Sequence, residues 1–417
     1  MLVLALFVSL TALPDVTRQG AAEVVAEIFI QGNVATPDQE VIDLTGIKVG
    51  SPFGPTTLTD VAARLRAAKR FESIEVLKRF ASIDDPTRIA LVVIVDEGTV
   101  KIEKTGDPAS PIKVVRTRGP HLMFLPVLTG EDGYGVTYGA RFTLPDPAGK
   151  GSRVSFPATW GGEKRAAIEF DKELVHGPLT RVTAEAAISR RTHPFFEQDD
   201  DRRRVGAGVE REITRSLRVG ASAGWQHVSF LGSKDSFVHA GGDVVLDTRL
   251  DPMLARNAVY GRAAWTHFDF KTSDALNQSE LEGRGYVGLL GQSVLVVRAL
   301  RDDADKPRPA YLQPILGSLA NLRGFKAGTS VGDTLVAGSV ELRLPLVSPL
   351  SVGKIGVNAF VDTATIYNKG ERLADQTWKR GVGGGVWLSA TFVRLNIAVA
   401  HGIGATTRVH FGGTFSF

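Results

Sequence analysis

From Tyr134 to the C-terminus, apolar and polar residues alternate in short segments separated by turn residues, and no helical period persists. Val336, Val340, Leu342 and Leu344 fall on one face, with Ala337, Ser339, Glu341 and Arg343 on the other. Ile355, Val357, Ala359 and Val361 alternate with Lys354, Gly356, Asn358, Phe360 and Asp362, and Val393, Leu395, Ile397 and Val399 with Arg394, Asn396, Ala398 and Ala400. In the last segment Val409, Phe411, Phe415 and Phe417 alternate with Arg408, His410, Thr414 and Ser416. A period of two marks a strand whose faces meet different surroundings, and lipid outside a polar lumen accounts for all four segments. A soluble sandwich alternates as well. The polar stretches 197–204, 271–279 and 301–308 favour a barrel, because they read as surface loops between tilted strands of about ten residues. Dividing the chain at such turns predicts a transmembrane β-barrel of about 16 antiparallel strands over 131–417.

Ahead of it, residues 24–98 predict a small α+β unit of order βααββ. Val25 to Ile30 is a short strand closed by the turn pair Gly32-Asn33, and Pro37 opens a first helix to about Leu44. Thr57 to Asp60 offers a capping box for a second helix, in which Leu58, Val61, Leu65 and Ala68 share a face and Arg64, Arg66, Lys69 and Arg70 lie elsewhere. Phe71 to Phe80 alternates, with Ile74 and Val76 opposite Ser73 and Glu75, and Ile89 to Val95 is a dense β-branched strand. Residues 99–130, with Pro108, Pro111, Pro120 and Pro126, predict a connector into the barrel.

A chain of 417 residues exceeds one ordinary core, which agrees with two units. Leu2 to Leu13 is an apolar run of signal-peptide length followed by small residues at Gly20, Ala21 and Ala22, so 1–22 is read as an export signal. The basic segment that usually precedes such a run is missing, and a buried core element is the competing reading. No later apolar run reaches the roughly 18 residues of a membrane helix, which leaves the closed barrel as the spanning architecture. With no cysteine there are neither disulfides nor thiolate metal sites, and a net charge of +4 carries no footprint of nucleic-acid binding.

The 32–76 stretch, with its loop, helix and Arg70-Phe71-x-x-Ile74-x-Val76 progression, resembles a POTRA domain. Leu322-Arg323-Gly324-Phe325 is similar to the (Val/Leu)-Arg-Gly-(Phe/Tyr) loop of the BamA/TamA outer-membrane assembly superfamily. That resemblance implies a loop folded back into the barrel, with Arg323 meeting Glu341 and Asp362, two carboxylates on faces already assigned to the lumen. A guanidinium meets carboxylates as a bidentate fork, which suits it to fixing a loop. The family pattern around Asp362 usually ends in glycine, where Ala364 stands here. Leu246 to Pro252 with Arg256, and Gly383 to Ser389, carry the likeness further, and Val409, Phe411, Phe415 and Phe417 resemble a C-terminal strand signal.

The resemblance implies assembly, insertion or translocation of polypeptides at the Gram-negative outer membrane, with the POTRA domain in the periplasm and no cofactor. The implied partners are outer-membrane lipid, an unfolded client held at the POTRA edge and the barrel seam, and a periplasmic accessory protein. A single POTRA domain implies an accessory or specialised role. A passive pore or surface antigen, and the membrane half of a secretion or lipase system, are the alternatives. Gly328-Thr-Ser330-Val-Gly332 fits the serine-hydrolase elbow in letters, but that turn needs a buried strand before it and a helix after it, and alternation resumes here. The eight histidines lack metal-ligand spacing, so no catalytic or metal residue is assigned.

Overall fold

The computed structural model describes residues 22–71, 73–82, 85, 87–97, 100–104, 112–116, 122–175, 177–250, 254–271, 273–347, 353–390 and 393–415. The run Leu2 to Leu13, and Phe417 at the other end, lie outside them.

The N-terminal unit follows the order β1 (Val24–Gln31), α1 (Asp38–Thr45), α2 (Thr57–Ala67), β2 (Ser73–Phe80) and β3 (Arg88–Asp96). β3 is central, parallel to β1 and antiparallel to β2, and its run Ile89 to Val93 is fully buried, as a strand covered on both faces must be. Val41 of α1 and Val61 and Leu65 of α2 pack on Val25, Leu91, Val93 and Val95. Each such side chain contributes roughly 1.5–3 kcal/mol by leaving water. Gly46 ends α1 in the left-handed conformation. The capping box expected at Thr57 does not form: Thr56 is the N-cap without a side-chain bond, and the Thr57 hydroxyl accepts the Gly54 N–H at 2.9 Å. Thr57 is itself buried and committed to the loop before the helix.

β4 (Val100–Lys104) and β5 (Ile112–Arg116) pair as a hairpin, and the barrel starts at β6 (Met123–Glu131). The expected connector over 99–130 therefore contains structure and ends eight residues early. Pro126 lies inside β6, a seam strand whose outer edge pairs, among the described residues, from Leu128 to Gly130, so a residue without an N–H is tolerated there.

The barrel continues through β7 (Gly135–Pro145), β8 (Ser152–Gly161), β9 (Lys164–Glu173), β10 (Arg181–Thr192), β11 (Asp199–Thr214), β12 (Leu217–Phe230), β13 (Ser233–Asp247), β14 (Ala258–Phe270), β15 (Leu276–Gly288) and β16 (Val294–Ala304). The connection to β19 (Thr334–Val347) holds a small hairpin, β17 (Ile315–Leu316) with β18 (Ser330–Val331). β20 (Lys354–Tyr367), β21 (Lys379–Ala390), β22 (Val393–Gly402) and β23 (Thr407–Phe415) complete the circle. Sixteen antiparallel strands, β6–β16 and β19–β23, close on themselves among the described residues. No helix among them is long and apolar enough to cross a membrane.

Val340, Val361, Ile397, Val399, Val409 and Phe411 face outward, whereas Glu341, Asp362, Ala398, Ala400 and His410 are buried inside. The lumen wall carries ion-pair ladders, such as Arg141 and Arg165 on Glu169, and Arg165 and Arg204 on Glu185. The stretches read as surface loops are corrected in part: Asp199 to Arg204 belongs to β11, Leu276 to Ser279 to β15 and Arg301 to Ala304 to β16. These strands outrun the roughly ten residues that lipid requires. Their charged ends pair with one another or within the strand, as in Arg190 with Asp201 and Arg301 with Asp303.

Candidate functional site

The connection between β16 and β19 turns back into the lumen. Its fold is set locally: Asn321 accepts the Gly317 N–H at 2.9 Å and donates to the Ile315 carbonyl at 2.9 Å, while the Ser318 and Phe325 backbones bond at 3.0 Å. Leu322 and Phe325 are buried with Leu316, Leu335, Ala337 and Ala364. The Ala364 methyl, where glycine was the family expectation, is fully buried in this cluster and fills space beneath the loop.

With Leu322 and Phe325 packed, Arg323 is aimed at β19 and β20. Its Nε and Nη2 donate to the two Asp362 oxygens, each at 2.7 Å, and its backbone N–H reaches Asp362 Oδ2 at 2.9 Å. Nη1 donates to Glu341, and Nη2 also reaches Ser339 Oγ at 3.0 Å. The guanidinium lies 3.3 Å over the Phe360 ring. Arg343 takes the other Glu341 oxygen at 2.7 Å, so two guanidiniums face two carboxylates. Such a buried cluster fixes geometry more than it adds net stability, because desolvation opposes the Coulomb attraction.

Gly324 holds φ +92°, and a Cβ there would stand 2.6 Å from the Gly402 nitrogen. Gly381 leaves room for the Arg323 carbonyl, which would lie 1.9 Å from a Cβ. The Gly324 N–H donates to His410 Nε2 at 2.8 Å, so that nitrogen is the unprotonated one and Nδ1 carries the proton toward Asp132 Oδ2, 2.5 Å away. Asp132 also accepts the Leu319 N–H at 3.2 Å. His410 is on the last strand and Asp132 directly follows the first, so the loop touches both sides of the seam. Among the described residues β23 meets β6 at Gly413–Gly130, Thr414–Thr129 and Phe415–Leu128.

The structure thus brings Arg323, Glu341 and Asp362 together, places Leu322 and Phe325 in the packing beneath them, and bonds Gly324 to His410. Val409 and Phe411 stand on the outer face of β23, apart from this cluster, and Phe415 pairs with Leu128 in the seam. The alternation in β23 places His410 on the inward face, and no sequence motif gives it a role. Asp132 lies in a turn, and nothing in its neighbours points to the seam. Ser330 sits in β18 and is followed by β19, a strand and not a helix. Among the described residues no group of acidic and histidine side chains is placed to hold a metal ion.

A search of curated proteins returns no match. Among solved structures, BamA from Haemophilus ducreyi lacking POTRA domains 1–3 is similar at 13% identity, covering 95% of this chain and 84% of that one, with a TM-score of 0.63. CdiB from Escherichia coli covers 97% of this chain and 92% of its own at 11% identity and a TM-score of 0.52. CdiB from Acinetobacter baumannii covers 95% and 90% at 12% identity and 0.50. At these identities the likeness is one of fold. Residues 23–98 match the POTRA family described as the surface antigen variable number repeat. The Omp85 superfamily domain matches residues 128–417, most of the chain and nearly all of the barrel, and the chain belongs to the Omp85 superfamily.

Proposed function

We propose that this protein inserts, folds or translocates polypeptides at the Gram-negative outer membrane, in an accessory or specialised capacity, with its POTRA domain in the periplasm. The observation that carries the reading is the seam, where β23 and β6 meet at three pairs among the described residues, with the Arg323 loop bonded to both of its sides through His410 and Asp132. A barrel normally abolishes sheet edges, and the seam between its first and last strands is the place where an edge can be exposed to a client strand. β2 is an outer strand of the POTRA sheet and offers a second edge of the same kind. Burial of the client's own apolar surface and pairing of its backbone in lipid supply the driving force, so no nucleotide is needed.

The test is quantitative outer-membrane proteomics on a depletion strain and on one carrying Arg323→Ala. Loss of a defined subset of barrels or of a secreted protein in both is the expected result. Loss of all barrels would make this the main insertase. An unchanged proteome with the protein folded and abundant would replace the proposal with a passive pore or surface antigen.

A further inference from the structure

A second feature of the lumen lies at its periplasmic mouth. Phe80 of the POTRA unit and the ends of β15, β16, β19, β20, β21, β22 and β23 line a cavity of about 380 Å³. Three amide side chains line it. Asn358 is 5% exposed, and neither its Oδ1 nor its Nδ2 has a hydrogen-bond partner. Gln292 Nε2 and Asn396 Oδ1 are also buried without a partner. Unpaired buried amide groups are costly, and three around one cavity mark a surface shaped for a polar ligand.

The cavity is cationic as well. Lys354, 2% exposed, has one bond, to the Phe80 carbonyl at 3.0 Å, and among the described residues neither it nor Arg394 has an ion-pair partner. Arg79 approaches from the POTRA side. Burial lowers its pKa to about 10, with Glu75 opposing that shift and Arg394 adding to it. Lys354 and Arg394, two cations lining one cavity, favour an anion between them. Trp387 and Tyr286 supply apolar wall.

We infer that this cavity binds a peptide segment bearing a carboxylate, the carboxylate on Lys354 and Arg394 and the adjoining peptide unit on Asn358, Gln292 and Asn396. Asn358 decides between a peptide and a phosphate. Whichever way its amide is turned it presents one donor and one acceptor, and a phosphate has only acceptors to offer while a peptide unit has both. An apolar residue beside the carboxylate meets Trp387 and Tyr286. The site rests on the proposed handling of polypeptides and adds the chemical feature by which a client is held at the mouth. A chain terminus and an acidic side chain share this chemistry.

Tryptophan quenching on the full chain folded in detergent micelles tests it, with N-acetyl-Gly-Phe as the free acid, the same peptide as its C-terminal amide, N-acetyl-Asp-Phe-amide, and inorganic phosphate as probes. The expected result is binding of one or both carboxylate peptides about tenfold or more tighter than of the neutral amide. The free acid binding tighter identifies a chain terminus, and the aspartyl peptide an acidic side chain. Asn358→Leu, and separately the exposed Arg394→Gln, should each weaken that binding by about tenfold. The inference is overturned if the neutral amide binds equally, if phosphate binds more tightly than either peptide, or if both variants bind as the parent does. Loss of this binding alongside a proteome that still depends on the protein removes only the site, whereas an unchanged proteome removes the functional reading.

Discussion

Arg323 makes five hydrogen bonds into one wall, counting its backbone N–H, and none of the four from its guanidinium can be replaced in kind by an ammonium. Lysine at this position keeps the charge and loses the fork. Arg323→Lys should therefore leave the loop partly anchored, while Arg323→Ala leaves Asp362 and Glu341 as buried charges met only by Arg343, Ser339 and the backbone N–H of position 323. Hydrogen exchange over residues 318–326 in the folded full chain should accelerate by about tenfold or more in Arg323→Ala and by less in Arg323→Lys. Equal protection in all three proteins would show that Leu322 and Phe325 hold the loop without the guanidinium. His410 is the second anchor, and its role depends on a neutral ring, since Nε2 accepts the Gly324 N–H. His410→Phe keeps the bulk and removes both bonds. Exchange at Gly324 and at Leu319 should then rise together, because both amides are tied through the His410–Asp132 pair.

At the scale of elements, legibility followed the strength of the local period. The alternation in β19, β20, β22 and β23 was readable because each strand has lipid on one face and packed lumen on the other. The side of the wall on which Glu341, Asp362 and His410 stand follows from parity alone. What the sequence left unread are features that depend on distant partners: the charged ends of β11 and β16, β6 with its Pro126, and Thr57, whose hydroxyl serves Gly54 and not the helix. Glu97 belongs to the same class. It follows β3 and accepts the backbone N–H groups of Val34 and Thr36, each at 2.9 Å, and of Ala35, thereby tying the loop before α1 to the sheet. Burial raises its pKa, and the bonds from Thr36, Ala35 and Val34 more than offset that, so the carboxyl lies below its ordinary value of 4.5. A depressed carboxyl stabilises the fold above that ordinary value and loses its contribution as the pH falls through the folded-state value. Glu97→Gln should lower POTRA stability at neutral pH by about 1–2 kcal/mol. Followed by loss of the helical circular-dichroism signal of the full chain, the gap between parent and variant should close below pH 4.5. A gap constant with pH would assign the loss to packing and not to charge.

The whole molecule poses a problem that neither scale contains. Closure of the sheet is what pairs backbone groups in lipid, yet among the described residues β23 and β6 meet at three residue pairs where β22 and β23 meet at nine. Among the described pairings the seam is the shortest line in the wall, and the Arg323 loop bonds to both of its edges from inside, through His410 and Asp132. If clients enter through this line, holding it shut must stop assembly without disturbing the fold. Thr129 and Thr414 lie opposite one another in register, a geometry with Cα atoms about 4.5–5.5 Å apart that a disulfide spans without backbone movement. The chain contains no cysteine to interfere, so Thr129→Cys with Thr414→Cys forms one defined cross-link in an oxidising periplasm. The locked protein should reach the membrane folded and fail to restore the missing subset of proteins to a depletion strain. Reductant, or either substitution alone, should restore it. A locked barrel that still supports its clients would move their route away from the seam and into the lumen, past the loop, and there Arg323→Ala and the seam lock would give different phenotypes.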